Sequence, residues 1–462
     1  MSRLIVFSNR IPLGPNPSGG LVVAVGGAMK QRGGLWIGTR HAPDEPQRDQ
    51  MQRHPDGPFE RLSMALDDAE QDGYYAGYSN SVLWPLCHGR VDLLDMRPEF
   101  FNSYISVNQR LARLSAPHIQ PEDIIWIHDY HLIPLAQELR QLGVSNPIGY
   151  FHHIPFPSAP NIAALSEPDL LAQWFAAYDL VGLQTARDVA SCIEAFRSLG
   201  QCEMMSDGTL MHKGRRIRVE GFPVGIHAQS FRTLAENNPA PRVLTASDQV
   251  LAIGVDRLDY SKGLPHKLRG LREYFRRNPE SSTRLSLLQI ASPTRESVSA
   301  YQDIRDELEG LSGEVNGDYG DIGYTPIQYI HRAVAREKVA GLFRASRIGL
   351  VTPLADGMNL VAKEYVAAQD PADPGVLVLS RFAGAAEQLE CGAIMVNPHD
   401  PANVASGMEQ ALQMPLEERK ARHARMWAVL DANGVDWWSD MFLQRLQTDR
   451  PSRWMLDNQI VA

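Results

Sequence analysis

One local pattern recurs along this chain: a short apolar run of strand type, a turn carrying glycine or polar residues, and then helical spacing. It is clearest from Ile348 to Asp370, IGLVTPLADGMNLVAKEYVAAQD. Ile348, Leu350, Val351 and Thr352 make the run, Pro353, Asp356 and Gly357 the turn, and Leu360 to Ala368 the helix. Strands joined through helices pair in parallel, so the pattern predicts an α/β fold. In such a sheet the turn lies at the carboxyl end of its strand, where ligands bind, and the open N–H groups of the following helix attract anions. Asp356 then stands at the mouth of a site. Glu364, one turn into the helix, is acceptor-only when ionised and suits a pair of sugar hydroxyls such as a ribose diol. The same spacing also fits a solvated helix start, with Asp356 as a helix-start acid and Glu364 on a wet face.

At 462 residues the chain exceeds one compact core, and two domains are expected. With 44% hydrophobic and 21% charged residues, burial can offset chain entropy without disulfides or metal. Cys87, Cys192, Cys202 and Cys391 are scattered and form no CxxC, which favours a reduced compartment over a disulfide frame or a zinc site. The apolar run Leu4 to Phe7 is far shorter than a signal segment, and no stretch nears the length of a membrane span, so a soluble cytoplasmic protein is expected. A net charge of −9 gives no electrostatic reason to bind nucleic acid. The basic cluster Arg419, Lys420, Arg422 and Arg425 reads as a solvated helix face.

The first half repeats the pattern. Leu4 to Ser8 reads as a buried strand, followed by Asn9, Arg10, a loop rich in glycine and proline, and the apolar Leu21 to Met29. Gly19 and Gly20 let backbone approach a ligand where a Cβ would obstruct it, although no Walker A or GxGxxG motif is present. In YYAGYSNSVLWP, Tyr75 and Trp84 suit either a wall for a sugar ring or a core. The strand Ile124 to His128 delivers Asp129 and Tyr130, and Pro147 to His153 ends in His152 and His153. These two polar strand ends point to one shared cleft. His128, His131, His152 and His153 with Asp129 could be read as metal ligands, but HExxH spacing and an accompanying cysteine are absent, so a donor role toward a substrate hydroxyl is favoured and no metal site is assigned. Further strands fall at Leu180 to Gln184 and Ile217 to Glu220. Ala235 to Arg242, AENNPAPR, reads as a linker, which divides the chain into domains 1–235 and 236–462.

The second half opens with the strand Val250 to Val255, then Arg257, Asp259 and Lys262 before a helix from Gly263 to Phe275. Two cations beside a helix N-terminus suit a diphosphate, the guanidinium bridging oxygens and the ammonium adding a point charge. The alternative is a surface pair bonded to nearby acids. Arg295 follows the strand Ser286 to Ala291 in the same relative position, and Val376 to Ser380 and Ala393 to Val396 extend the alternation. Near the end, Trp438, Met441, Phe442 and Leu446 share one side of a helix, about residues 436–451, with Trp437 at its border. That face is expected to be buried, and the helix to pack back on the first domain.

The motifs VFSNR, SNSVLWP, IIWIHDYHL, HIPFP, RLDYSKGLP, YQDIR, GLVTPLADGMNLVAKEYVAAQDP and PGVLVLSRFAGAA resemble those of the trehalose-6-phosphate synthase family, from about Arg3 to Gln444. The resemblance implies the GT-B fold, two Rossmann-like domains facing each other across a cleft. It also implies a retaining glucosyl transfer from UDP-glucose to glucose 6-phosphate, giving α,α-trehalose 6-phosphate. For the donor it implies Arg257 and Lys262 on the diphosphate, and the backbone of Asp356, Gly357, Met358, Asn359 and Leu360 on diphosphate and glucose. Glu364 would take the ribose, Val334 would meet the base through its main chain, Gly19 and Gly20 would cover the donor, and His153 would bond the donor glucose. For the acceptor it implies Arg10 and Arg295 on the 6-phosphate, with Tyr75, Trp84 and Asp129 around the sugar. His152 and the SAPN of Ser158 to Asn161 depart from the family pattern, on the acceptor side.

Synthases of the GT-B fold generally lack a well-placed carboxylate nucleophile, so the resemblance implies attack on the face from which the diphosphate leaves, through an oxocarbenium-like transition state. Charge then grows on the leaving group, where Arg257, Lys262 and the helix N-terminus near Leu360 would stabilise it. That argument requires no metal and no cofactor. Either a diphosphate oxygen or Asp129 takes the acceptor proton. Two other functions fit the same scaffold: a synthase using another phosphorylated acceptor, such as a glucosylglycerol-phosphate synthase or a cyclitol pseudo-glycosyltransferase, and an inert sugar-phosphate sensor. The sensor reading expects drift at Arg257, Lys262, Asp356 and Glu364, all of which are present. The residues leave the nucleotide open among UDP, ADP and GDP. They also leave open whether the chain forms the homo-oligomer common in the family.

Overall fold

The computed structural model describes residues 3–13, 20–55, 57, 59–199, 202–241, 249–294 and 299–448. The chain divides into two compact units, Met1–Phe222 with Trp438–Ala462, and Pro223–Trp437.

The first unit is built on β1 (Leu4–Arg10), β2 (Gly34–His41), β3 (Met51–His54), β4 (Glu60–Leu66), β5 (Ile124–His128), β6 (Ile148–Phe151), β7 (Leu180–Leu183), β8 (Glu203–Met204), β9 (Leu210–His212) and β10 (Arg215–Gly221). They form one sheet in the order β3-β4-β2-β1-β5-β6-β7-β10-β9-β8. From β4 to β10 every pairing is parallel, while β3 at one edge and β9 and β8 at the other pair antiparallel. The central strands are buried throughout, IIWIH of β5 among them, as expected where helices cover both faces of a parallel sheet. Trp438 and Phe442 of the helix Val435–Thr448 pack in this unit, with Phe442 stacked 4.7 Å from Trp126. Gly149 on β6 and Gly182 on β7 make room for that ring, since a Cβ on either would lie 2.7 Å or 2.6 Å from it. The apolar face of this helix is narrower than the sequence pattern suggests. Trp438, Phe442, Leu443 and Leu446 are buried, but Met441 is 41% exposed and Trp437 37%.

The second unit carries β11 (Gln249–Arg257), β12 (Arg284–Ser292), β13 (Ile327–Ile330), β14 (Ile348–Val351), β15 (Val376–Ser380) and β16 (Ile394–Val396). All are parallel, in the order β13-β12-β11-β14-β15-β16. This is the doubly wound order, in which the chain builds outward from β11 on one side and from β14 on the other. The helices Leu264–Arg277 and Pro401–Gln413 contribute Leu268, Leu271, Val404 and Met408 to its core.

The expected division after residue 235 falls inside the second unit. Residues 223–235 lead into the helix Ala228–Asn237, whose Phe231 meets Phe343 at 6.4 Å and whose Arg232 lies 3.3 Å over Trp427. The AENN of the supposed linker is the end of that helix rather than free chain. Of the basic cluster, Arg419 is not on a solvated face. It is 5% exposed and donates to the Asp373 carboxylate and the Pro374 carbonyl.

Candidate active site

In an open parallel sheet, a crevice forms at the carboxyl ends of two neighbouring strands whose following connections leave in opposite directions. Each unit has one such point, between β1 and β5 in the first and between β11 and β14 in the second. The loops at these two points hold most of the residues singled out from the sequence.

In the first unit Arg10 ends β1 and Asp129 follows β5. Asp129 adopts φ 74°, a left-handed conformation uncommon for a residue other than glycine, and its Oδ1 accepts the His153 backbone N–H at 3.3 Å. The backbone N–H of Asp129 donates to the Phe151 carbonyl at 2.8 Å, so the ends of β5 and β6 are tied together. The Arg10 guanidinium lies 4.9 Å from the Tyr75 ring centre, and Tyr75 stacks 5.7 Å from His131 on its other contact. Tyr75 sits in a π-helix, Gln71–Leu83, in which Asn80 Nδ2 donates to the Tyr75 carbonyl at 2.7 Å and Ser81 Oγ to the Ala76 carbonyl at 2.8 Å. A π-helical stretch of this length is unusual, since most are single-turn bulges, and such bulges are frequent at functional sites. Trp84 is buried, its ring 4.1 Å from His88 and 5.8 Å from Tyr130, so it backs the site as packed core.

The four histidines separate into distinct roles. His128 and His153 share a hydrogen bond of 3.0 Å between Nδ1 and Nε2 respectively. Burial drives the His128 imidazole well below its ordinary pKa, with His153 adding to the effect. Burial lowers His153 to about 3, with a smaller contribution from His152. His152 is a satisfied core side chain, bonded to the Tyr150 hydroxyl at 2.9 Å and the Pro155 carbonyl at 3.3 Å. Among the described residues no group of three or more His, Cys, Asp or Glu side chains is arranged to hold a metal ion. Ser158, in the segment that departs from the family pattern, caps the short helix Ala159–Ile162.

In the second unit the loops after β11 and β14 are pressed together. The Leu354 N–H donates to the Ser261 carbonyl at 2.7 Å, and Gly263, at φ 64°, lies where a Cβ would come within 2.8 Å of the Thr352 carbonyl oxygen. Lys262 Nζ reaches Asp356 Oδ2 at 2.5 Å, and Asn359 Nδ2 donates to the same oxygen at 3.0 Å. Asn359 is itself left-handed, at φ 72°, and its Oδ1 caps the helix Leu360–Ala368 by accepting the Ala362 N–H at 3.1 Å. The N–H groups of that helix's first turn therefore begin beside the Lys262 ammonium. The backbone at Met358 is fixed from behind by the Ala385 N–H at 2.7 Å, and a Cβ on Gly384 would overlap the Gly357 carbonyl. Arg257, the last residue of β11, is exposed. Asp259 is fully buried, caps Ser261 and accepts the Tyr301 hydroxyl at 3.1 Å, which fixes the loop carrying the cations.

Glu364 is not on a wet face. Its side chain is 20% exposed and pairs with Arg336 at 3.1 Å. Burial raises its pKa, and Arg336 partly offsets the rise. Arg336 comes from the helix Arg336–Ala345 and lies over Phe231, and nothing in its local sequence announces it. Val334 lies just before that helix and is partly exposed. Gly20 begins the helix Gly20–Arg32, while Gly19 and Arg295 lie outside the described residues. The pairing of His128 with His153 and the π-helical setting of Tyr75 were not legible as site features. The first needs the pairing of β5 with β6, and the second has no distinct sequence signature.

A family model described as glycosyltransferase family 20 matches residues 13–448. A trehalose-6-phosphate synthase of Cronobacter sakazakii is 41% identical over all of this chain and 99% of its own. An E. coli trehalose-6-phosphate protein solved with UDP-2-fluoro glucose is 41% identical, with a TM-score of 0.93 over 98% of this chain and all of its own. An α,α-trehalose-phosphate synthase of Burkholderia xenovorans, solved with glucose-6-phosphate, is 42% identical, with a TM-score of 0.91 over 96% of this chain and all of its own. With a family model and full-length relatives of this similarity laid over two doubly wound units, the chain belongs to glycosyltransferase family 20.

Proposed function

We propose that this protein transfers glucose from UDP-glucose to glucose 6-phosphate, with retention at the anomeric carbon, forming α,α-trehalose 6-phosphate. The observation that carries the reading is the Lys262, Asp356 and Asn359 cluster at the start of the helix Leu360–Ala368, at the switch point of the second unit. A ligand's diphosphate there meets an ammonium already positioned by a carboxylate, together with open helical N–H groups. Arg257, exposed at the end of β11, adds a second cation for the leaving UDP. Glu364, held by Arg336, takes the ribose hydroxyls, and Val334 meets the base through its main chain.

In the first unit Arg10 binds the 6-phosphate, Tyr75 packs on the acceptor ring, and Asp129 accepts its hydroxyls. Arg295 is assigned to the same phosphate and Gly19 and Gly20 to the donor. His153 bonds the donor sugar as a neutral group. As the C1–O bond to the diphosphate breaks, the acceptor hydroxyl attacks from the same face and a diphosphate oxygen takes its proton. Side-chain cations and helix N–H groups stabilise the departing charge, so the step needs neither metal nor cofactor. No helix among the described residues is long and apolar enough to cross a membrane. A cytoplasmic enzyme acting on small molecules is our reading.

The test is a matrix of UDP-, ADP- and GDP-glucose against glucose 6-phosphate and glycerol 3-phosphate, with products identified by NMR. Product is expected with UDP-glucose in the glucose 6-phosphate column. Turnover confined to glycerol 3-phosphate would overturn the acceptor assignment.

A further inference from the structure

His128 belongs to the closing residues of β5, is fully buried, and lies between aromatic rings, 4.5 Å from Trp126 and 6.4 Å from Trp438. Its Nδ1 meets His153 Nε2 at 3.0 Å, while its own Nε2 is sealed from solvent and bonds to nothing among the described residues. Burial keeps both imidazoles neutral at ordinary pH, so the pair has two ring protons to place on four nitrogens.

Only one of the two arrangements that keep the shared bond is consistent with the surroundings. If His153 Nε2 carried the proton and donated to His128, the His128 proton would sit on Nε2 as a buried donor without an acceptor. If His128 Nδ1 donates instead, its Nε2 is left as a bare lone pair, and an under-satisfied acceptor is cheaper than an orphaned N–H. The neighbours point the same way. The indole N–H groups of Trp126 and Trp438 are buried without partners and make no bond to His128 Nε2, and an indole nitrogen is a donor only, so these rings supply no acceptor for a proton on Nε2.

We infer that His128 is a positioning residue that donates from Nδ1 and thereby fixes His153 with its proton on Nδ1, making His153 a hydrogen-bond donor toward substrate. His153 Nδ1 has no bond among the described residues and is not sealed from solvent, so it is the ring atom open to a ligand. In this tautomer His153 gives a hydrogen bond to a sugar hydroxyl and has no free lone pair with which to take a proton from it. The inference rests on the assignment of His153 to the donor sugar only for its kinetic consequence.

The experiment uses the whole protein with 15N-labelled histidine. Long-range proton–nitrogen correlation spectra separate protonated from bare ring nitrogens, with His153 assigned by comparison with His153→Gln. Wild type should show His153 protonated at Nδ1 and His128 at Nδ1. His128→Phe should release His153 into a mixture of tautomers. His128→Asn, whose amide nitrogen occupies the place of Nδ1, should restore the single form. Turnover should follow: kcat/KM for UDP-glucose falls about three- to ten-fold in His128→Phe, the range for one oriented neutral hydrogen bond, and recovers in His128→Asn. A wild-type His153 protonated at Nε2, or a tautomer unmoved by His128→Phe, overturns the inference. If the tautomer behaves as stated and kcat/KM does not change, the positioning stands and it is the assignment of His153 to the donor sugar that fails.

Discussion

The ammonium of Lys262 is the single group on which the donor reading depends most. It is 9% exposed and bonded to Asp356 at 2.5 Å, so it is held in place without substrate. Lys262→Ala should lower kcat/KM for UDP-glucose by about 10²- to 10³-fold, the usual effect of removing one preorganised group that stabilises departing charge, and leave the KM for glucose 6-phosphate nearly unchanged. Asp129 is predicted to bind rather than to take a proton. Steady-state kinetics of Asp129→Asn should show a raised acceptor KM with turnover largely retained, whereas lost turnover at unchanged KM would make Asp129 the base. Lys363 gives a prediction about stability. It is buried, donates to the Val224 carbonyl and Gln388 Oε1 at 2.6 Å each, and burial lowers its pKa from 10.5 to about 7. Between those two pH values the unfolded chain holds a proton that the folded one has released, so this group makes folding more favourable as pH rises, by up to about 1.4 kcal/mol per unit. Denaturation measured from pH 7 to 9 should show that slope in the wild type and its loss in Lys363→Met.

At the scale of elements, the loop from Asp356 to Leu360 is set by backbone contacts as much as by its own sequence. Gly384 presses against the Gly357 carbonyl, and Gly384→Ala has to displace that loop. The expected result is a raised KM for UDP-glucose with about 1–3 kcal/mol of destabilisation, read by kinetics and by denaturant titration of the same preparation. How much of this was legible varies by element. β11, β14 and β15 stood out because strands buried on both faces must be nearly continuous apolar runs. β2, β3, β4 and β13 did not. GLWIGTRH, MQRH, ERLSMAL and IQYI carry charges, polar residues or glycine, and their pairing comes from neighbours distant in sequence. The site residues at strand ends were legible for the same topological reason that places ligands there. The partners of those residues were not: Arg336 on Glu364, Tyr301 on Asp259 and His128 on His153 are tertiary pairings with no local signal.

For the whole molecule, two doubly wound units, each with charged or hydrogen-bonding groups at its switch point, match what a two-substrate transferase needs. The unit boundary lies at Phe222, upstream of the Ala235 to Arg242 stretch that reads as a linker, because proline and asparagine at a helix end resemble a linker in sequence. The central claim is a chemical one: retaining glucosyl transfer to glucose 6-phosphate in which Lys262, Arg257 and helix N–H groups do what a metal would otherwise do. The direct measurement is to combine the protein with UDP-glucose and glucose 6-phosphate in excess EDTA and follow the anomeric protons by NMR. The account predicts UDP and α,α-trehalose 6-phosphate appearing in equal amounts at an undiminished rate. A β-linked product, hydrolysis to free glucose, or turnover that returns only when a divalent cation is restored would contradict it.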